Sequence, residues 1–487
     1  MLFVAVYKGC YMSDFLGREY ELGLLNGLLS KDSASLVVIR GRRRIGKSRL
    51  VEEFASRHKF YSFAGIPPHE KTTATSEKEV FIKQLQKYFN TDAIENNDWW
   101  DILWFLAEKT QSGRVVILFD EISWMGAKDP DFLGKFKTVW DSYFKKNKKL
   151  ILVLCGSVSI WIKKHILSST GFVGRVSLQL TLTELPLNTC NKFFAKRSEQ
   201  LSTYDKFKFL SITGGIPRYL EELKPNLSIE NNINQMCFHS SGILFNEFDQ
   251  IFNDSLSSGA NIYKMIVETL ANQTMERQEI ANTLKHVSSG DFSEYLDNLV
   301  SAGFITRDYT WGIKNKNTSK LSRYRLSDNY LRFYLKYIKP QSNIIKTRKY
   351  KVDSLTNLPG WAGIIGLQFE NLVLANREAI QRILGINHDD VEMDNPFFQR
   401  KTSKMKGCQI DYLIQTKTLT LYACEIKFSR NEISSDIINE MKNKLANLVL
   451  PKGFSCLPVL IHVNGAHDSV VDSNYFFKII DFSELLM

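Results

Sequence analysis

Residues Gly41-Arg42-Arg43-Arg44-Ile45-Gly46-Lys47-Ser48 match the pattern G-x-x-x-x-G-K-[ST] in full. Each residue type has a task at that spacing. The glycines let backbone N–H groups close around phosphate oxygens, Lys47 can reach β and γ oxygens, and Ser48 offers a hydroxyl to Mg²⁺. The chemistry is that of a nucleoside triphosphate site, for ATP with Mg²⁺. A second group, Asp120-Glu121, closes the apolar run Val115–Phe119. Asp120 would join the Mg²⁺ shell, and Glu121 would orient or deprotonate an attacking water. Taken alone, the same pair also reads as a strand-end cap. Ser157 follows the run Leu150–Cys155 and Gly156; it reads either as a polar sensor beside a γ-phosphate or as a turn serine.

These residues need elements to hold them. Residues 36–40 (LVVIR) predict a short strand, Gly41–Lys47 a loop, and Ser48–Phe54 a helix. Helical segments around 80–111 and over 131–146 alternate with the strand signals 115–119 and 150–155. Strands alternating with helices predict an α/β fold with a parallel sheet, which presents ligands at the carboxyl ends of its strands. From Glu184 to Leu256 the pattern is helical, interrupted at Thr213-Gly-Gly-Ile-Pro217. Three short helices follow (262–271, 276–284, 291–302), then Gly303–Thr306, a Lys/Asn-rich turn and Ser322–Leu326, in the order of a winged helix-turn-helix. A polar, basic linker leads to about residue 360. The remainder predicts a helix (363–382), a hairpin (409–415 and 419–428), a helix (431–447) and a strand (456–463), a small α/β domain.

The chain of 487 residues is long enough for about three domains at roughly 150 residues each. Its 44% apolar, 12% aromatic and 24% charged residues exclude fibrous and disordered classes. No apolar run approaches the ~18 residues of a membrane helix. Seven scattered cysteines without a C-x-x-C pair argue against a disulfide framework and a zinc ribbon, and for a reducing, cytoplasmic compartment. Met1–Tyr11 is a poor signal peptide, and Met12 is a candidate start. Sixty-three Lys+Arg against 52 Asp+Glu leave +11, the sign expected of a chain that meets polyanions. Residues 261–350 hold 15 basic and 8 acidic side chains, so most of the excess sits there.

Phe15-Leu-Gly-Arg18-Glu19-Tyr-Glu-Leu22, the phosphate loop, ILFDEISWM, LCGSVSIWI, Gly174-Arg175 and Thr213–Leu220 together resemble the archaeal and bacterial ATPases of the STAND branch of AAA+-like P-loop NTPases. The resemblance covers roughly residues 13–340. It implies that Arg18 packs near the adenine, that Arg175 approaches the γ-phosphate, and that Pro217 of the lid lies against the base. A capping arginine and a turn proline are the plainer readings of the last two. The C-terminal part resembles the domain commonly appended to such ATPases, whose pattern is like PD-(D/E)XK nucleases. The matching residues are Glu370 on a helix, Asp411 and Glu425-Ile-Lys427, with Ile410 where that pattern has proline. Asp411 and Glu425 would converge on one Mg²⁺, and Lys427, on the same face as Glu425, would polarise a water.

The division expected is 13–183 for the ATPase domain, 184–258 for a helical lid, 259–340 for the winged helix, 341–360 for the linker and 361–487 for the nuclease-like domain. Six basic residues (Arg307, Lys314, Lys316, Lys320, Arg323, Arg325) against one acid, Asp308, could neutralise phosphates of double-stranded DNA from the wing. Helix 291–302 carries Asp291, Glu294 and Asp297, which weakens its use in a groove, and an intramolecular lid is the other reading of this segment. Two classes of function stand: an ATP-dependent DNA-processing enzyme, and an ATP-driven switch whose C-terminal domain only binds. Neither needs a membrane, and both admit an oligomer.

Overall fold

The computed structural model describes residues 15–67, 72–91, 98–126, 128–157, 159–194, 200–255, 260–285, 290–352, 354–403 and 406–487. Met12 and the stretch before it lie outside the described residues. The chain divides into two compact units: residues up to 40 with 46–156 and 166–181, and residues 41–45 with 157–165 and 182–487.

The first unit contains α1 (Glu19–Gly27), β1 (Ser35–Arg40), α2 (Lys47–Ala55), β2 (Lys59–Ala64), α3 (Ala74–Phe89), α4 (Trp99–Lys109), β3 (Val115–Asp120), α5 (Phe132–Ser142), β4 (Leu150–Gly156) and β5 (Val176–Thr181). The strands form one sheet in the order β2-β3-β4-β1-β5, and every pair is parallel. Leu36–Ile39, Val115–Phe119 and Leu150–Cys155 are almost wholly buried, which is why the three central strands read as unbroken apolar runs. The two edge strands carry no such run. In β2 only Tyr61 and Phe63 turn inward, and in β5 only Leu180 is buried, so periodicity over six mixed residues gave no strand prediction at either place. Arg40 pairs with Gly156 and Ala64 with Asp120, so the residues after β1, β3 and β4 leave from one carboxyl edge.

The second unit begins with helices α6 (Leu187–Phe193), α7 (Thr203–Thr213), α8 (Ile229–Cys237) and α9 (Ile243–Ser255). Next come α10 (Ala260–Leu270), α11 (Arg277–Thr283), α12 (Gly290–Ser301), and the antiparallel hairpin of β6 (Ile305–Trp311) and β7 (Thr318–Leu326). A bridge from Met275 to Tyr324 ties the segment before α11 to that hairpin. After α13 (Asn329–Phe333), the stretch expected as a linker holds a helical turn, Ser342–Lys346, and a 3₁₀ turn, Leu355–Asn357, with Ile345 and Leu355 buried. It is packed chain rather than a spacer.

The C-terminal part comprises α14 (Trp361–Ala375), α15 (Arg377–Ile383), β8 (Val391–Gln399), β9 (Cys408–Thr416), β10 (Thr420–Phe428), α16 (Asp436–Asn447), β11 (Ser455–Val463) and β12 (Lys478–Asp481). The sheet order is β12-β11-β10-β9-β8: β8, β9 and β10 pair antiparallel, and β11 and β12 continue parallel to β10. One face packs on α16 through Ile437 and Met441, and Trp311 and Ile313 from the β6–β7 hairpin enter that same core beside Phe397, Ile410 and Leu413. Thr310 Oγ1 donates to the Phe398 carbonyl, and the Trp311 indole N–H to Gln415 Oε1 at 2.6 Å. On the other face Phe369 meets Phe207, Phe428 and Phe482. Hairpin and C-terminal sheet are therefore one packed body. No helix among the described residues is long and apolar enough to cross a membrane.

Candidate functional site

The phosphate loop takes its shape from backbone that side chains disfavour. Gly41 has φ 155°, and a Cβ there would stand 2.6 Å from the Leu182 carbonyl oxygen. Gly46 caps α2 at φ 91°, so the helix starts at Lys47 with its N–H groups directed at the loop. Lys47 is buried, and Ser48 on the first turn donates from Oγ to Asp120 Oδ2 at 2.6 Å. Asp120 Oδ1 accepts the Glu121 N–H at 3.1 Å. Glu121 itself is left-handed, φ 52° and ψ 52°, a conformation that costs a non-glycine residue about 1–2 kcal/mol. Such strain is retained where a side chain must be aimed. Ser157 directly follows β4 and is buried. The Cys155 thiol beneath is pushed far up by burial, with Asp120 adding to the effect.

The side chains of Arg42 and Arg44 turn to buried acids, and two expectations elsewhere change. The guanidinium of Arg42 reaches Asp328 Oδ2 at 2.6 Å and Glu184 Oε1 at 3.6 Å, and that of Arg44 reaches Glu247 Oε2 at 2.6 Å and Gln250 Oε1 at 3.1 Å. Asp328 and Glu247 are fully buried, and Tyr219 donates its hydroxyl to Glu247 at 3.0 Å. The charges of Arg42 and Arg44 thus hold Asp328, Glu184 and Glu247. Burial raises the Glu184 and Glu247 carboxyls, with Asp328 adding to the rise at Glu184; the arginines oppose it. Arg43 is half-buried and Ile45 buried.

Arg175 is the first correction. Strand β5 runs parallel to β1 with Leu36 opposite Val176 and Arg40 opposite Thr181. Arg175 therefore stands at the amino end of the sheet, about 16 Å from the edge that bears Lys47 at ~3.3 Å per residue. Its guanidinium clamps Asp141 at 2.8–3.1 Å and draws that carboxyl down to about 2. Within its own chain it does not approach the phosphate site. Arg18, by contrast, caps α1 beside α2: it pairs with Glu21 at 3.0 Å, and Phe15 lies under Arg49 of α2 at 5.6 Å. Pro217 opens the short helix Pro217–Leu220, just after Gly215, whose N–H is held by Glu184 at 2.8 Å.

The hairpin is the second. Arg325 is buried, bound to Asp308 Oδ2 at 2.8 Å and to Asn371 of α14. Lys316 pairs with Glu392 at 2.9 Å, Arg307 lies against Tyr309 and Tyr324, and Arg323 lies over Phe398. Of the six cations, Arg325 is withdrawn from solvent altogether and three more are committed to partners. Glu294 and Asp297 lie on α12 as expected; of Asp291 only its place in that helix is described.

In the C-terminal sheet, Leu421 faces Gln415 and Cys424 faces Tyr412. One more step of that ladder sets Asp411 opposite Glu425, with both carboxylates on one face. Asp411 Oδ2 also accepts the Ile426 N–H at 3.0 Å. Lys427, two residues on, returns to Glu425 Oε1 at 3.1 Å and reaches Glu440 at 2.8 Å. Glu370 on α14 lies within the same field: burial, then Asp411, push it up to about 7, against the pull of Arg325 and Arg332. Burial and Glu425 likewise raise Asp411, to about 6. A residue that sequence reasoning missed completes the group. Lys444 of α16 places Nζ 2.5 Å from Glu425 Oε2 and 3.6 Å from Asp411 Oδ1. Its only signal is position: Ile437, Met441 and Lys444 share one helical stripe, and the first two face the sheet. Among the described residues, no group of three or more His, Cys, Asp or Glu side chains is arranged to hold a metal ion.

Sheet, loop and acidic pair define a P-loop ATPase-like domain. Residues 15–223 match a family described as an ATPase domain predominantly from Archaea. An uncharacterized protein of Methanocaldococcus jannaschii is 27% identical over 342 residues, 70% of this chain and 72% of that protein. Among solved structures, the Walker-type ATPase PABY2304 of Pyrococcus abyssi is 18% identical with a TM-score of 0.48, covering 66% of this chain and 96% of that one. The STAND protein with a tetratricopeptide repeat sensor from Pyrococcus horikoshii is 16% identical with a TM-score of 0.30, covering 76% and 50%.

Proposed function

We propose that the chain binds and hydrolyses ATP at Gly46, Lys47, Ser48, Asp120 and Glu121, and that nucleotide turnover controls an action on double-stranded DNA. The observation that carries the first half is the 2.6 Å hydrogen bond from Ser48 to Asp120, joining the loop helix to the strand end that bears Glu121. A hydroxyl and a carboxylate, both hard oxygen donors, fit Mg²⁺, and these two residues would hold it. When bound, the ion would neutralise charge on the β and γ phosphate oxygens. The chain's own groups do the rest: backbone N–H groups of the loop seat the phosphates, Lys47 binds the transferring group, and Glu121 orients the water and accepts its proton. Calorimetry with Mg·ATP on the wild type and Lys47→Ala tests this reading. Equal affinities would refute it.

For the second half, the helices α10–α12 with the β6–β7 hairpin are read as a winged helix, and Glu370, Asp411, Glu425 and Lys427 as a site facing a phosphodiester. Two carboxylates opposed across a ladder with a lysine on the same face support it. The cation position of that pair is taken by Lys444, so a divalent ion does not fit it as arranged. The second reading, an ATP-driven switch whose C-terminal domain only binds, is favoured by the burial of Trp311 and Ile313 in the C-terminal core. Supercoiled plasmid with ATP, Mg²⁺ and Mn²⁺ separates the two. Nicking lost in Glu425→Ala supports the enzyme, whereas intact plasmid during steady ATP turnover supports the switch.

A further inference from the structure

The parallel sheet of the first unit has a second edge. Lys59 stands level with Val115, Val115 with Leu150, and Ser35 with Ile151. The segments that lead into β1 to β4 therefore all arrive at the amino edge, about 16 Å from the edge that bears Lys47. Those segments, residues 28–34, 55–59, 108–114 and 143–149, hold nine Lys and Arg against two acids, Asp32 and Glu108. The surplus of seven equals that of residues 261–350, in far fewer residues. Four of the cations sit in one turn, where Lys145, Lys146, Lys148 and Lys149 stand exposed around the buried Asn147. The Asn147 amide donates to the Thr110 and Gly113 carbonyls at 2.8 and 3.0 Å, and its Oδ1 accepts the Lys149 N–H at 3.1 Å. Arg114 donates to the carbonyls of Lys149 and Leu29 at 3.0 and 2.7 Å. The backbone of the turn is thus fixed before any partner arrives, which spares part of the ordering cost of binding. Little acid answers these charges. Lys148 meets Asp32 at 3.2 Å in a pair open to solvent, and such pairs are weak. Lys145 is 3.6 Å from Asp141, which already holds Arg175 at 2.8 Å and Lys137 at 3.2 Å. Rings lie beside the turn: Lys146 Nζ is 5.0 Å from the centre of the Tyr143 ring, and Trp104 of α4, 38% exposed, is tilted against Tyr143 at 6.2 Å.

We infer that this amino edge binds single-stranded nucleic acid, with the lysines of the turn on its phosphates and a base stacked on Trp104. The inference goes beyond the duplex contact proposed for the hairpin and rests on the first unit alone. Gathered cations repel one another and weaken the compact state, and a polyanion relieves that repulsion. Lysine meets phosphate as a point charge and reads no sequence, while an indole face accepts any unstacked base. A duplex keeps its bases stacked on one another and would leave Trp104 unused. An anionic bilayer would also attract the lysines, but anchoring in it takes an apolar face. Trp104 is the single large apolar side chain of α4 and residues 143–149 that is more than a third exposed.

The test is fluorescence anisotropy of the full chain with a labelled oligothymidylate at several salt concentrations, beside a labelled duplex and phosphatidylserine vesicles. Wild type should bind the oligothymidylate with an affinity that falls as salt rises. The triple variant Lys146→Gln/Lys148→Gln/Lys149→Gln should lower the log–log slope by about 2, at about 0.7 for each phosphate contact in a single strand. Trp104→Ala should weaken binding about fivefold to a hundredfold at an unchanged slope, the usual worth of one stacked base, and Trp104→Phe should lose less. Melting temperatures near that of wild type show which variants are folded; the lysine variant changes exposed side chains alone and carries the test should Trp104→Ala fail to fold. Lys314→Ala/Lys320→Ala on the hairpin should bind the oligothymidylate as wild type does. Binding lost in that hairpin variant and kept in the edge variants would overturn this inference while leaving the DNA reading of the hairpin standing. No oligothymidylate binding by wild type would overturn it, as would duplex bound equally well with no loss in folded Trp104→Ala. Vesicle binding that depends on the three lysines, with oligothymidylate binding that does not, would assign the edge to a membrane surface instead.

Discussion

Glu121 carries the hydrolytic prediction at the scale of one residue. Glutamine keeps its shape, and the backbone N–H that meets Asp120 is unchanged, so Glu121→Gln should bind ATP as wild type does. Turnover should fall by about 10²–10⁴, the usual worth of a positioned base. Steady-state phosphate release checks this, and unchanged turnover would assign the base elsewhere. Glu77 of α3 makes a second prediction. It is 2% exposed, its Oε2 accepts the Ile66 N–H at 3.1 Å, and burial lifts its carboxyl to about 7. A carboxyl raised on folding contributes stability that is complete below its unfolded value near 4.5 and is lost as pH rises through about 7. Glu77→Gln keeps the acceptor and has no charge to bury. Its melting temperature should therefore rise relative to wild type between pH 5 and 8, and a constant difference over that range would contradict the assignment. The phosphate-loop residues and Asp120-Glu121 were legible because each type has few other uses in that order at a strand end. The acids that Arg42 and Arg44 hold were not legible, because sequence places a backbone against a phosphate but is silent on which acid a long side chain will find. Lys444 was invisible for the same reason: its partners lie on two strands of a sheet whose ladder no local pattern specifies.

Elements divide by burial. The central strands β1, β3 and β4 are apolar because both faces are covered, and so they announce themselves. β2, β5, β8 and β12 lie at or near sheet edges, carry mixed sequences such as LysPheTyrSerPheAla and ValGluMetAspAsnProPhePheGln, and take their identity from the neighbour that pairs with them. The β6–β7 hairpin was read as the wing of a winged helix-turn-helix from the order of its elements, and its contact with DNA from charge. With Arg325 buried and Lys316, Arg307 and Arg323 engaged, Lys314 and Lys320 remain as exposed cations without a side-chain acid among the contacts described above. Each phosphate neutralised adds about 0.9 to the slope of log affinity against log salt. The hairpin should thus contribute about 2 to that slope rather than the roughly 5 that six free cations would give. Fluorescence anisotropy with a duplex at several salt concentrations should show Lys314→Ala/Lys320→Ala lowering the slope by about 2. A slope untouched by that double variant would move the DNA contact off the hairpin and favour its role as an internal support.

That support has a consequence for the whole molecule. A boundary at residue 360, natural from the polar sequence before it, leaves Trp311 and Ile313 on the wrong side of the cut although both lie in the core between the C-terminal sheet and α16. Gln415 is fully buried in β9; its Oε1 accepts the Trp311 indole N–H, and its Nε2 donates to the Ile313 carbonyl at 3.0 Å. Removing the hairpin therefore opens a cavity of aromatic size and strands both ends of a buried amide. The first loss is worth about 3–5 kcal/mol for a large aromatic side chain, and the unsatisfied amide adds about 1–3 kcal/mol. Together these approach the 5–15 kcal/mol that usually separates a folded domain from its unfolded chain. A fragment of residues 361–487 should accordingly melt without a sharp transition, whereas residues 303–487, which restore the hairpin, should melt cooperatively. Trp311→Ala within the longer fragment should lose most of the gain, and Trp311→Phe, which fills the space but lacks the N–H, should lose only part. Calorimetric scans of the four proteins decide it. A cooperative transition in 361–487 at the temperature of 303–487 would mean that the hairpin leans on a sheet complete without it, and the groove-facing role of the wing would then regain its standing.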